Sequence, residues 1–330
     1  MIKIEKKIGI PIYKQIINSV EELILSGVLK KGEQIPSINK IKNNHKLSRD
    51  TVLMAFSELK NRGIIESVVG KGYYVASEDI NITKKIFLLF DELNAFKEDL
   101  YNSFLEHMGE NVKVDIYFHH FNKNIFTQLI NDNLGSYNYF VIMPANLDNT
   151  SNDIQKLPSD KVYILDQLHE NLHSYSAVYQ NFYKAIYNNL EKALNLINNY
   201  SKIVLIYPKD KQPLGIHNGF TSFCETYNIP FEVINSFEDK ALIKRELYLI
   251  LEDKTLLKVI KSMKQEQLTL KDDIGIISYN DTLLKEIVEG GITTISTDFK
   301  SMGKRLAKMI LNNETTQVEN PNSLILRNSL

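Results

Sequence analysis

One cysteine, Cys224, among 330 residues excludes an intrachain disulfide framework and a zinc site built from several thiolates. No uncharged apolar run approaches the ~18 residues of a membrane-spanning helix, so no membrane partner is expected. The first fifteen residues, interrupted by Lys3, Glu5, Lys6 and Lys7, lack the apolar segment of a secretory signal, and a cytoplasmic location follows as the expectation. Charge of one sign is missing as well. Lys and Arg number 39 against 40 Asp and Glu, so no global basic field marks nucleic acid and no acidic excess marks a solvating tail. Catalytic signatures are absent too: no Gly-rich phosphate loop follows an apolar run (Glu289-Gly290-Gly291 precedes one), and there is no Gly-x-Ser-x-Gly elbow and no His-Glu-x-x-His. The chain therefore reads as a non-enzyme without a catalytic residue or cofactor. His119-His120 would face opposite sides of a strand, and His169 and His173 lack an evident carboxylate partner, so no metal is expected.

What is present is a folded chain, 43% apolar and 24% charged, too long for one hydrophobic core. Its charge is unevenly placed. Residues 1–80 carry 13 Lys/Arg against 9 Asp/Glu, a surplus of four, while the remaining 250 carry 26 against 31. The apolar spacing Ile12-Tyr13-x-x-Ile16-Ile17-x-x-Val20-x-x-Leu23-Ile24 predicts a helix after Pro11 that stops at Gly27. Ser37 caps a second, short helix carrying Ile38 and Ile41. A third starts at Ser48 and buries Val52, Ala55, Phe56 and Leu59, ending at Arg62-Gly63. A hairpin then runs from Ile64–Val69 to Tyr73–Val75 around Gly70-Lys71-Gly72. This order predicts a winged helix-turn-helix over residues 1–76. Ser48-Arg49-Asp50-Thr51 opens the recognition helix, whose first turn meets bases and phosphates. There Arg49 can pair bidentately with guanine or phosphate, and Ser48 and Thr51 can donate. The same four residues also suit plain helix capping and a solvated surface charge; the order of elements decides between the two readings.

The stretch also resembles the GntR family. The matching positions are Pro11-x-Tyr13-x-Gln15-Ile16, Gly27-x-Leu29-x-x-Gly32-x-x-Ile35-Pro36-Ser37, Leu47-Ser48-Arg49-Asp50-Thr51-Val52, Leu59-x-x-x-Gly63-Ile64-Ile65 and Gly70-Lys71-Gly72-x-x-Val75, within residues 9–76. The resemblance implies DNA contacts from Ser37, Asn39, Ser48, Arg49, Asp50, Thr51, Lys71 and Gly72. Asn39 stands where the family usually has arginine, so that contact carries no charge here.

Residues 77–84 are polar and read as a linker. Over 85–330, short apolar runs alternate with helical patterns: Ile86–Phe90, Val112–Phe118, Tyr139–Met143, Val162–Leu165, Ile203–Tyr207, Phe231–Ile234, Tyr248–Leu251, Ile274–Ser278 and Thr293–Ser296. About nine strands with helices such as Tyr183–Ile197, Asn218–Tyr227 and Phe299–Leu311 predict two Rossmann-like lobes of parallel sheet. Ligands bind beyond the carboxyl ends of such strands. Polar residues recur there, namely Asp91, Asn146, Asp166, Gln180, Glu252, Asp253 and Asn280, with His217 on a helix and Phe90, Phe118 and Tyr279 as aromatic neighbours. Carboxylates and amides beside aromatics suit an uncharged polyhydroxylated ligand. Cys224, with Phe220, Phe223 and Tyr227 on one helical face, is expected in the core.

This half resembles the LacI/GalR effector domain, which shares the periplasmic sugar-binding fold. The match lies in Asp273-Ile274-Gly275-Ile276-Ile277-Ser278-Tyr279-Asn280-Asp281, Ile292-Thr293-Thr294-Ile295-Ser296-Thr297-Asp298, Met302-Gly303-x-x-x-Ala307, Asn218-Gly219-Phe220 and Leu251-Glu252-Asp253. Three positions depart from it: Asn280 replaces a sugar-binding Asp, Ile216 stands in place of an Arg, and Glu252 stands where Asn or Asp is usual. A GntR reader joined to such a domain is similar to regulators of the arabinose-repressor type. That resemblance implies a homodimer on palindromic double-stranded operator DNA, released by a monosaccharide or sugar phosphate. Alternatives are a non-sugar effector (a nucleoside or peptide) or an enzyme-derived Rossmann-like half. An aminotransferase-like or an all-helical fatty-acid-type second half fits the pattern less well.

Overall fold

The computed structural model describes residues 2–4, 11–80, 84–238 and 240–330. Residues 9 and 10 of the family resemblance and 81–83 of the expected linker lie outside the described residues.

The N-terminal head comprises α1 (Ile12–Leu25), α2 (Ile38–His45), α3 (Arg49–Asn61), β1 (Ile65–Val68) and β2 (Gly72–Val75). Pro11 precedes α1, where its missing N–H leaves nothing unsatisfied. Past Gly27, at φ 71°, Leu29 N donates to the Leu23 carbonyl at 2.9 Å and closes the helix. Ser37 Oγ accepts from Lys40 N at 3.2 Å and Ser48 Oγ from Thr51 N at 3.1 Å, so each hydroxyl starts its helix. The wing is antiparallel, from Ile65 opposite Val75 to Val68 opposite Gly72, and an isolated bridge from Gln34 to Tyr74 widens it. Ile16, Val20, Val52, Phe56, Leu59 and Val75 fill a core of the head's own residues. Each large side chain buried there contributes about 1.5–3 kcal/mol. Ser77–Ile80 is fastened to this head: Lys31 N donates to Glu78 at 2.9 Å and Arg62 to the Ile80 carbonyl at 2.7 Å.

The chain then alternates through β3 (Lys84–Phe90), α4 (Ala95–Met108), β4 (Val112–Phe118), α5 (Lys123–Asp132), β5 (Tyr139–Ile142), α6 (Ser151–Ile154), β6 (Val162–Asp166), β7 (Ser176–Tyr179), α7 (Phe182–Lys192), α8 (Leu194–Ile197), β8 (Lys202–Ile206), α9 (Leu214–Thr226), β9 (Phe231–Ile234), β10 (Glu246–Ile250), α10 (Asp253–Gln265), β11 (Gly275–Tyr279), α11 (Leu283–Ile287), β12 (Thr293–Thr297), α12 (Phe299–Asn312), β13 (Gln317–Glu319) and β14 (Asn322–Ile325). Two six-stranded sheets result, ordered β13-β7-β6-β5-β3-β4 and β14-β12-β11-β10-β8-β9. The strand pairs β3–β4, β3–β5 and β7–β13 are parallel, as are β8–β9, β8–β10, β10–β11 and β11–β12, whereas β14 runs antiparallel to β12. The chain leaves the first sheet after β7, returns after β12 with β13, and leaves again for β14.

Two compact units form: Met1–Phe90 with Gly109–Ile142 and Asn149–Tyr163, and Asp91–Met108 with Met143–Asp148 and Ile164–Leu330. In the first, Phe87 packs against Tyr117, Tyr137 and Phe140. In the second, two glycines allow helices to touch through their backbones. A Cβ on Gly303 would run into the Leu100 carbonyl oxygen, and one on Gly219 would stand 2.5 Å from that of Tyr183. These residues bring α12 onto α4 and α9 onto α7. Cys224 lies in the core with Phe220 and Phe223, and burial pushes its thiol up to about 12. The expected helix Tyr183–Ile197 is two helices parted at Ala193, and twelve strands rather than nine are described beyond the head.

Candidate functional site

Two polar regions carry the residues singled out above. On the head, Ser37, Asn39, Ser48, Arg49, Asp50 and Lys71 are exposed, with Thr51 and Gly72 half-buried. Ser37 and Ser48 use their side-chain oxygens as caps, and the Ser48 hydroxyl also pairs with Thr51 Oγ1 at 2.7 Å. The guanidinium of Arg49 forms no hydrogen bond or ion pair among the described residues, standing free at the first turn of α3. Backbone N–H groups and the helix dipole there favour an anion. Gln34 Nε2 donates to the Lys71 carbonyl at 2.6 Å, which holds the wing tip while leaving the ammonium free.

The second region lies in the unit that begins at Asp91 and gathers the ends of strands from both sheets. Asp91 follows β3, is buried, accepts from Glu92 N at 2.6 Å and pairs with the buried Lys97 of α4. Asp166, the last residue of β6, is buried with φ 74°, an uncommon conformation for a residue with a side chain. Burial, aided by the negative charge of Asp91 and opposed by Lys97, pushes its carboxyl up to about 6. Gln180, just past β7, connects the two sheets. Its Nε2 donates to Asp166 at 2.5 Å; its Oε1 accepts from Tyr279 of β11 at 3.2 Å and from Thr297 of β12. Asn280, at φ 60°, is 9% exposed, and its Oδ1 has no hydrogen-bond partner. A buried oxygen without a donor loses about 1–3 kcal/mol, which a ligand hydroxyl would recover.

Other expected residues fall into smaller groups. Asn146 Nδ2 donates to the Gln212 carbonyl at 2.7 Å, which also accepts from Tyr207 at 2.9 Å, and the ring of Tyr207 lies 5.6 Å from that of His217. Ile216 is wholly buried in the α9 core. Asp253 is engaged by Lys285 at 2.9 Å, while Glu252 is half-buried and caps nothing with its side chain. Phe90 and Phe118 belong to the other unit, edge to face at 6.4 Å, with Phe90 fully enclosed. His169 Nε2 lies 2.7 Å from the Ala145 carbonyl and His173 Nδ1 3.4 Å from Gln317. Among the described residues no group of three or more His, Cys, Asp or Glu could hold a metal.

Sequence reasoning did not single out Lys97, Thr297 or Lys285. Lys285 is 1% exposed and donates to the carbonyls of Tyr279 at 2.7 Å and Asn280 at 2.6 Å, pinning the end of β11. No local motif marks these residues. Only the topology places Lys97 beside Asp91 and Thr297 beside Gln180.

Residues 12–75 match the family described as bacterial regulatory proteins, gntR family, and residues 197–330 match the periplasmic binding protein-like domain. The HTH-type transcriptional repressor YtrA of Bacillus subtilis is 36% identical over 100 residues, 30% of this chain and 73% of the relative. The arabinose metabolism transcriptional repressor of Geobacillus stearothermophilus is 35% identical over 71 residues, 22% of this chain and only 20% of that protein. Among solved structures, a LacI family regulator from Enterococcus faecium with bound ribose has a TM-score of 0.60 at 19% identity, covering 74% of this chain and 98% of its own. The lactose repressor bound to an anti-inducer has a TM-score of 0.63 at 14% identity, covering 74% and 99%. No described helix is long and apolar enough to cross a membrane. The winged helix and the mostly parallel sheets that follow it thus have counterparts in known regulators, and this chain belongs to the gntR family of bacterial regulatory proteins, with a periplasmic-binding-protein-like domain following its winged helix in sequence.

Proposed function

We propose that this chain is a carbohydrate-responsive transcriptional repressor without catalytic turnover. In this reading the head binds operator DNA through Arg49, Ser48 and Thr51 at the start of α3 and through the wing tip at Lys71 and Gly72. A cytoplasmic homodimer presents two heads to a palindrome whose half-sites lie about one helical turn or more apart. The effector is a neutral monosaccharide. Two carboxylates against one lysine in the strand-end cluster disfavour a second negative charge, and they accept hydroxyls well.

The observation that carries the reading is the position of Gln180, bonded to Asp166 of one sheet and to Tyr279 and Thr297 of the other. A sugar that competes for these partners changes the free energy of one arrangement of strand ends relative to another. A preference of about 1–3 kcal/mol couples its binding to operator affinity. The test is a melting screen against monosaccharides, with operator binding followed by fluorescence anisotropy. A sugar at 100 times its Kd raises stability by about 2.7 kcal/mol and releases the operator. A panel that moves neither quantity refutes the sugar and directs the screen to nucleosides and peptides.

A further inference from the structure

A polar cavity of about 240 Å³ lies beside α7 and the crossings between sheets, in the same unit as the strand-end cluster. Its wall carries Lys184, Lys192 and Glu319, a surplus of one positive charge, whereas the cluster at Asp91 and Asp166 is weighted toward negative. Among the described residues the Lys192 ammonium is bonded only to Asn189 Oδ1, at 3.0 Å, leaving two of its donor positions for a ligand. Lys184 pairs with Glu319 at 3.3 Å, a half-exposed contact easily exchanged for a better anion. Side-chain amides supply most of the remaining lining, including Gln180 and the buried Asn189 and Asn320, with Thr297 beside them.

Gln180 and Thr297 of the strand-end cluster themselves line the cavity, and a series of hydrogen bonds ties Lys192 to them and on to Asp166. Lys192 donates to Asn189. Asn189 Nδ2 donates to Asn322 Oδ1 at 2.7 Å, and Asn322 Nδ2 to Thr297 Oγ1 at 3.1 Å. Thr297 donates to Gln180, which donates to Asp166 at 2.5 Å. All three crossings contribute to this series: Gln180 after β7, Thr297 at the end of β12, and Asn322 at the start of β14.

We propose that this cavity is a second ligand site, for a small polyhydroxylated anion, and that its occupancy resets Gln180 and so tunes the affinity of the strand-end site. Lys192 and Lys184 hold the anionic group, and the amides take the hydroxyls. The tuning rests on the carbohydrate-repressor reading above; the binding of the anion does not.

The test is calorimetric titration of the full chain with ribose 5-phosphate, gluconate, inorganic phosphate and a set of neutral monosaccharides, on wild type, on Lys184→Gln/Lys192→Gln and on Asp166→Asn. Either ribose 5-phosphate or gluconate binds wild type, still binds Asp166→Asn, and binds the double variant about tenfold or more weakly. Which of the two binds names the anion as ester or carboxylate. Asn188→Trp, filling the cavity from an exposed position, gives the same loss should the double variant fold poorly. Binding lost in Asp166→Asn but kept in the double variant overturns the proposal, because the anion then occupies the strand ends. So does an absence of binding to wild type, or inorganic phosphate binding as tightly as both organic probes. Neutral sugars that fail to bind any form refute the strand-end reading alone.

Discussion

Replacing Asp166 by Asn tests the strand-end cluster through its electrostatics. A carboxyl held at about 6 in the folded chain, against 3.8 for an ordinary aspartate, disfavours its own ionisation. The unfolded chain loses this proton near pH 4 and the folded chain only near pH 6, so in that window the folded state binds more protons and stability falls as pH rises. Integrated over the window, ionisation costs about 3 kcal/mol at pH 7. The substituted amide would escape that cost and still accept from Gln180 Nε2, but it would give up the charge's attraction to Lys97. The net expectation is a gain of about 1–3 kcal/mol at pH 7, or roughly 3–8 °C in midpoint for a domain of this size. Melting curves at pH 4, 5.5 and 7 measure it: wild type and variant converge at the lowest pH and separate above it. Sugar affinity falls in the same variant, the usual exchange of stability for function at a binding site. A variant that melts below wild type at pH 7 with an unchanged pH profile would refute the reasoning.

Further outcomes follow from the same geometry. Arg49→Ala lowers operator affinity by about 1–3 kcal/mol and flattens its dependence on salt, while the sugar-induced rise in melting midpoint stays; equal loss of both contradicts the division of labour. Lys285→Met leaves the Tyr279 and Asn280 carbonyls without their donor and costs about 2–4 kcal/mol, discounted because Asp253 is 45% exposed; a midpoint shifted by less than about 1 °C would dismiss the pin. Leu283 and Ile287 on α11, 78% and 76% exposed, are the apolar surface expected to meet a second copy, so Leu283→Asp/Ile287→Asp sediments as a monomer. Wild type that is itself monomeric at micromolar concentration removes the dimer from the proposal.

Elements buried on both faces were the legible ones. Ile86–Phe90, Tyr139–Ile142 and Val162–Leu165 stand out as apolar runs because parallel strands covered on both sides need continuous hydrophobicity. β7, β13 and β14 escaped notice because Ser176–Tyr179, Gln317–Glu319 and Asn322–Ile325 are short, and the latter two are edge strands rich in polar residues. The site divides in the same way. Asp91, Asp166 and Asn280 stand directly after apolar runs, so rules for strand ends reach them. Lys97 lies inside α4, where nothing in its neighbours distinguishes a buried lysine from a solvated one. Lys285 is similarly hidden, because its partners are backbone carbonyls, which no side-chain pattern encodes.

The threefold passage between sheets also bears on how the protein is made. The head's core draws only on residues between Ile2 and Ile80, so it can close while synthesis continues. The first sheet lacks its edge until Gln317–Glu319 has left the ribosome and paired with β7, and the second lacks Asn322–Ile325. At ~5–20 residues per second, the interval between a finished head and finished sheets is on the order of ten to fifty seconds. A message broken anywhere in that interval releases a chain whose DNA-binding head is whole while its sheets cannot close around an effector.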